Sequence, residues 1–430
     1  MSFDGFLLSL IAISLVVILL GMPVAFALGA CAVAYLLYEG FPLTQAAQEL
    51  AFSIDKFSML AIPLFMLAGQ LMNAAKITDR IFDFAMALVG RIPGGLGHVN
   101  VVCSLVFAGM SGSALADVAS LGSMQVNAMK KHGYDEKFSV GITLASSAIG
   151  PILPPSIPLV MFGIIAQVSI TQLFLGGVVP AFVIAVCLMG YVFFVGCRRG
   201  YVSTERVTSK ALAIAFLKAA PPMLTPVIIV GGMTLGIFSP TEGATVAVLY
   251  ALVLGGLVYR DLTIRAIGET LASVTAASTK LLFIIANAVL FGWVLTIGNV
   301  PQTTAEAIAT TFDSPAMFIL LTLVALLILG AIIENAILLL ILAPMLVQVG
   351  GAQYGLDPIH LGVVMVFAIM IGQYTPPLGL SLFLMRDLTG MSFRRVSLSV
   401  APFLIPLIVA LLIMAYVPSI VTALPHALGY

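Results

Sequence analysis

The chain has 430 residues, of which 61% are hydrophobic and only 8% charged, and its 18 basic and 18 acidic side chains cancel. A soluble domain carries about 25% charged residues, so a soluble fold is excluded, and a neutral chain offers nucleic acid no basic surface. The apolar segments are continuous rather than alternating, which excludes a β-barrel and leaves an all-α polytopic membrane protein, with about ten to twelve membrane segments, some of them incomplete crossings.

In chain order, Phe6–Leu20 is the first apolar run. It lacks a basic flank, and Gly21-Met22-Pro23 leads straight into more apolar sequence, so it reads as a retained helix rather than a signal peptide. Residues 1–90 read as N-terminal scaffold helices, and 91–197 as a first repeat with a hairpin over 91–131 and a broken helix over 137–168. The most polar stretch, 198–218, reads as a cytoplasmic linker. Residues 219–298 supply second-half scaffold helices, with Thr263–Lys280 as an interfacial helix whose Lys280 snorkels to the headgroups. A second repeat covers 299–390, with a hairpin over 313–350 and a broken helix over 358–385, and 391–430 is a C-terminal scaffold helix. Cys31, Cys103, Cys187 and Cys197 lack C-x-x-C spacing and read as small packing residues.

Two stretches repeat one design. Gly133-Tyr134-Asp135 through Ile149-Gly150-Pro151-Ile152-Leu153-Pro154-Pro155 superimposes on Gly355-Leu356-Asp357 through Ile371-Gly372-Gln373-Tyr374-Thr375-Pro376-Pro377 at one offset of 222 residues. Basic residues such as Arg91, Lys130, Arg198 and Arg265 mark cytoplasmic ends, whereas Glu39–Asp55, Ala166–Gln172, Asn299–Pro315 and Gly350–His360 carry none and are external. That assignment closes only if the segments around Ser111 and Asn335 each enter and leave on one side. They are therefore re-entrant hairpins from opposite faces, and each precedes a broken helix, which describes an inverted repeat.

Broken backbone is tolerated at membrane depth only where protein covers it or it lines a cavity. Here it frees carbonyls at Gly150, Leu153 and Pro155, and at Gly372, Thr375 and Pro377. Hydroxyls of Ser111 and Ser113 at the first hairpin tip complete an oxygen set suited to a hard monovalent cation rather than a transition metal. Half-helix N-termini facing the same place favour an anion. Among intramembrane acids, Glu334 stands with Asn335 at the place that Gly112-Ser113 holds in the first hairpin, and is a candidate for cation, substrate or proton binding. Glu242 follows Ser239-Pro240 in a first helical turn and reads as a structural partner of the helix dipole; Asp117 caps or bridges within the hairpin.

No catalytic inventory emerges. His98, His132, His360 and His426 are scattered, no nucleophile pairs with a base, and no G-x-x-x-x-G-K-[ST] loop is present, so the chain does not read as an enzyme or an ATPase.

Gly109–Gly122, Ile149–Leu159, Gly236–Ala244, Thr375–Leu380 and Ala61–Gly69 together resemble the large membrane subunit of TRAP (tripartite ATP-independent periplasmic) transporters, across nearly the whole chain. The resemblance implies a sodium-coupled, elevator-type transporter in the bacterial inner membrane, importing an organic acid such as a C4-dicarboxylate or sialic acid. A periplasmic substrate-binding protein would deliver the substrate, and a small four-helix membrane subunit would brace the scaffold. That subunit is expected as a separate chain rather than fused before Met1 or after Tyr430. Family sodium sites map onto Ser111, Ser113, Gly150, Leu153 and Pro155, and onto Gly330, Gly372, Thr375 and Pro377. Substrate is expected near Ser111, Ser156, Glu334 and Asn335. Departures from the family pattern are Glu334 where Asp is common, Gln373-Tyr374 in place of an apolar pair, and Ser381 where Asn is frequent. The alternatives are a proton-coupled permease using Glu334 and an ion channel whose broken helices form the filter.

Overall fold

The structure, a computed structural model, describes residues 5–201, 208–300, 303, 314–377 and 379–430, and these are predominantly helical, with no strand among them. The first scaffold stretch holds α1 (Gly5–Leu19), α2 (Val24–Tyr38), α3 (Leu43–Ile54), α4 (Ala61–Ala74) and α5 (Ile77–Val89). The first hairpin is α6 (Gly95–Ser111) with α7 (Ala114–Lys131), and the first interrupted helix is α8 (Glu136–Ser146) with α9 (Ile157–Ile165). After α10 (Ile170–Arg199) come α11 (Ser209–Thr234), α12 (Pro240–Leu252), continued by a π-helical turn, and α13 (Ile264–Ile297). The second hairpin is α14 (Pro315–Gly330) with α15 (Asn335–Tyr354), and the second interrupted helix is α16 (Pro358–Gly372) with α17 (Leu380–Thr389). Helices α18 (Phe393–Tyr416) and α19 (Ser419–Ala427) end the chain. Among the described residues, seven helices are long and apolar enough to cross a membrane.

Local chemistry sets these boundaries. Ser113 caps α7 by accepting from Ala116 N, and Ser156 caps α9 by accepting from Leu159 N. Asp357 caps α16, taking hydrogen bonds from Ile359 N at 2.6 Å and His360 N at 3.1 Å, with Pro358 preset for the first turn. Between α8 and α9, Pro151, Pro154 and Pro155 remove three backbone donors within five residues, and the helix is interrupted there. Both Pro154-Pro155 and Pro376-Pro377 peptide bonds are cis.

The centre of the molecule is built from α8 and α16. Every residue of Phe138–Ser146 and of Ile359–Gly372 is buried, which is why these segments are apolar all round. Outer helices instead show large apolar side chains to the bilayer, such as Leu217 and Val227 on α11 and Ile405 on α18. The halves interlock reciprocally: α9 packs on α15 of the second hairpin, and α17 packs on α7 of the first.

Three expectations need correction. Thr263–Lys280 is no separate interfacial helix but the start of the 34-residue α13, because nothing after Thr263 caps or breaks it before Gly298. The linker expected over 198–218 is shorter, since Thr208 caps a helix that begins at Ser209; Arg206 lies outside the described residues. The C-terminal segment 391–430 is two helices, divided at Val417-Pro418. Most of Asn299–Pro315, together with Leu378, also lies outside the described residues.

Candidate ion and substrate site

At the first tip, α6 ends in Gly112, whose φ is +60°. A methyl there would also collide with the Pro155 carbonyl oxygen, so only glycine lets the tip seat against the interrupted helix. The seat is fixed by a hydrogen bond from Ile157 N to Gly112 O at 3.3 Å. Ser111 donates its hydroxyl proton to Asp117 Oδ1, while Asp117 Oδ2 is buried without a partner. Gly150 closes on this pair: a methyl on it would sit 3.0 Å from Asp117 Oδ2 and 3.3 Å from the Ser113 carbonyl carbon. The carbonyls of Gly150, Leu153 and Pro155 accept no backbone hydrogen bond among the described residues. An orphaned buried carboxylate oxygen beside unbonded carbonyls fits a hard cation.

The second tip is built the same way with different chemistry. A methyl on Gly372 would lie 2.7 Å from Gly330 Cα and 3.1 Å from Ala331 N, so the two glycines let hairpin and interrupted helix touch. The Gly372 carbonyl is not free, contrary to the sequence reading: Thr375 N and Thr375 Oγ1 both donate to it, at 2.9 and 2.6 Å. Thr375 is half-buried and Pro377 exposed. Glu334 occupies the N-cap of α15 with no side-chain capping bond. By cap position it therefore matches Ser113, one residue off the expected pairing. Asn335 Nδ2 contacts Met370 Sδ at 3.5 Å, and its Oδ1 is buried without a partner.

Three cavities run past these tips. The largest, about 780 Å³, reaches Ser111, Ser113 and Ser120 from Gln70 and Asn73 of α4 and Glu269, Thr270 and Ser273 of α13. A central one of about 180 Å³ lies between Ser113, Pro151 and Ile157 on one side and Glu334, Asn335 and Gln373 on the other. The third, about 280 Å³, lies beyond Glu334 and Asn335, against Gly330, Gly379 and Phe383. The N-terminal turns of α7, α9 and α15 all line the central cavity. No lysine or arginine lines any of the three among the described residues.

The structure thus gathers Ser111, Ser113, Gly150 and Pro155 at one tip and Gly330, Gly372 and Thr375 at the other, with Leu153 half-buried in the first loop. Glu334 and Asn335 face the cavities. Ser156 is fully buried, its hydroxyl engaged by Pro151 O and Leu159 N, and it acts as the start of α9. Glu242 has the structural role expected of it: its carboxylate accepts from Ser239 N at 2.7 Å while Ser239 Oγ caps Glu242 N. Lys280 is exposed on α13. Sequence reasoning missed Gln70 and Asn73, although two amides three residues apart on one face of an apolar helix were a legible signal.

All-helical architecture with two hairpins set against two interrupted helices is that of a multi-pass membrane transporter. Residues 11–420 match the family described as tripartite ATP-independent periplasmic transporter, DctM component, and the chain belongs to that family. It is 41% identical over 412 residues to the sialic acid TRAP transporter large permease protein SiaM of Vibrio cholerae, covering 95% of this chain and 96% of that one. It is 36% identical to the C4-dicarboxylate TRAP transporter large permease protein DctM of Pseudomonas aeruginosa, covering 93% of each. The sialic acid TRAP transporter permease protein SiaT of Haemophilus influenzae is 37% identical, with 96% of this chain matching 67% of it. Among solved structures, the Alcanivorax borkumensis YdaH transporter shares the fold, with a TM-score of 0.61 at 14% identity over 87% of this chain and 88% of that one. Membership makes this chain a transporter component rather than an enzyme, working in a tripartite system with a substrate-binding protein and a small membrane subunit.

Proposed function

We propose that the chain imports an organic acid anion across the bacterial inner membrane, driven by sodium and fed by a periplasmic substrate-binding protein. The observation that carries this reading is the convergence of three helix N-termini on the central cavity, which no lysine or arginine among the described residues lines. Each N-terminus carries about half a positive charge in unsatisfied N–H groups, so together they favour an anion without a basic side chain. Bound sodium at the Ser111–Asp117 tip would add positive charge beside that cavity, which makes ion binding and anion binding mutually favourable.

The packing supports an elevator mechanism. The two hairpins and two interrupted helices interlock across the halves and would travel as one block against the longer helices. The large cavity opens beside the start of α13, the end bearing Arg265 that the charge rule puts in the cytoplasm, which supports an inward-facing state. Relatives named for sialic acid and for C4-dicarboxylates make these acids the first substrates to try. Uptake of labelled acids into proteoliposomes containing this chain, the small subunit and the binding protein tests the reading. A requirement for both sodium and the binding protein supports it; uptake driven by a proton gradient alone transfers the coupling role to Glu334.

A further inference from the structure

We propose that Tyr374 ties the two cation-binding loops together, so that the coupling ions bind cooperatively; this rests on the sodium-coupled reading above. Tyr374 lies between Gly372 and Thr375 in the second loop, yet it reaches into the other half. The side chain is fully buried, and its hydroxyl lies 2.9 Å from Ser147 Oγ. Ser147 gives its one proton to Leu144 O at 2.7 Å, so the tyrosine is the donor in the cross-half bond. Ser147 belongs to the first loop: its carbonyl accepts from Gly150 N at 3.1 Å, and Gly150 packs on Asp117 and Ser113.

The internal repeat has no reciprocal hydrogen bond at the equivalent positions. The 222-residue offset puts Ile152 at the place of Tyr374 and Ile369 at that of Ser147, so this polar bridge is single and specific to one side. A cation that draws the first loop's carbonyls together fixes Ser147. Tyr374 is then held, and with it the Gly372–Pro377 loop, so the second ion meets a loop whose ordering cost has already been met. Coupling of this kind is reciprocal between the two sites.

Sodium activation of uptake by the complete three-component system tests this in the unaltered chain, Tyr374→Phe, Ser147→Ala and the double variant. Tyr374→Phe keeps the buried ring and removes only the donor. The unaltered protein is expected to give a sigmoidal sodium curve. Each single variant is expected to flatten it toward a Hill coefficient of one and to raise half-saturating sodium about fivefold, while the substrate dependence at saturating sodium is unchanged. The double variant is expected to match either single, since both remove one interaction. Ser147→Ala supplies the reading if Tyr374→Phe fails to fold. A hyperbolic curve in the unaltered protein, or an unaltered sigmoid in the variants, overturns the inference alone. Uptake indifferent to sodium overturns the functional reading and this inference with it.

Discussion

Ser111 and Asp117 meet across the tip of the first hairpin, the serine hydroxyl donating to one carboxylate oxygen while the other lies buried and unpartnered. Residues six apart do not share a helix face. They meet because the chain reverses at Gly112 and restarts as a new helix at Ser113. A carboxylate kept in this condition has one oxygen in reserve for a cation.

Ser111→Ala is expected to weaken sodium activation, raising half-saturating sodium about tenfold, which is ~1.4 kcal/mol. Leaving Asp117 without its donor costs about 1–3 kcal/mol of stability, so the variant should still fold. Asp117→Asn keeps an acceptor for Ser111 and removes the charge, and should lose sodium response with little change in melting temperature. Sodium titration of uptake beside thermal unfolding separates the two effects.

Gly112→Ala places a methyl against the Pro155 carbonyl at a left-handed backbone position. The backbone cost alone is about 1–2 kcal/mol, and the collision adds to it. Gly355 has φ +62° with nothing within 4 Å of the place a methyl would take, so Gly355→Ala isolates the backbone cost. Thermal unfolding should show the larger loss at Gly112, and only that variant should abolish uptake.

Ser239→Ala removes the cap of α12 and should cost about 1 kcal/mol in stability with sodium-driven uptake retained. Loss of transport with normal melting would instead place Glu242, the partner of Ser239, in the transport chemistry.

Glu334→Gln distinguishes the two coupling ions. Under sodium coupling, uptake driven by a sodium gradient persists and keeps the shape of its pH profile. Under proton coupling, the response to an imposed proton gradient disappears in the variant, which flux measured under each gradient would reveal.

The outline of the fold was legible because its signals are local. The chain leaves the helix at Pro154-Pro155 and at Pro376-Pro377, and Asp357-Pro358 starts one. What stayed hidden depends on contacts between distant segments. That Thr375 satisfies the Gly372 carbonyl, that Ser156 is consumed in capping α9, and that Tyr374 crosses to Ser147 are outcomes of packing that no residue spacing encodes. Thr263–Lys280 misled because its mixed polarity resembles a surface helix, whereas polar residues such as Thr270 and Ser273 line the large cavity.

The central claim is that oxygen ligands at the first tip bind sodium and thereby prepare the anion cavity. The most direct measurement is labelled organic acid uptake into proteoliposomes holding the complete complex, with sodium and proton gradients imposed separately, for the unaltered chain and for Asp117→Asn. The account predicts accumulation that needs sodium in the unaltered chain and is lost in the variant. Equal accumulation under a proton gradient without sodium, or a variant with undiminished sodium response, would contradict it.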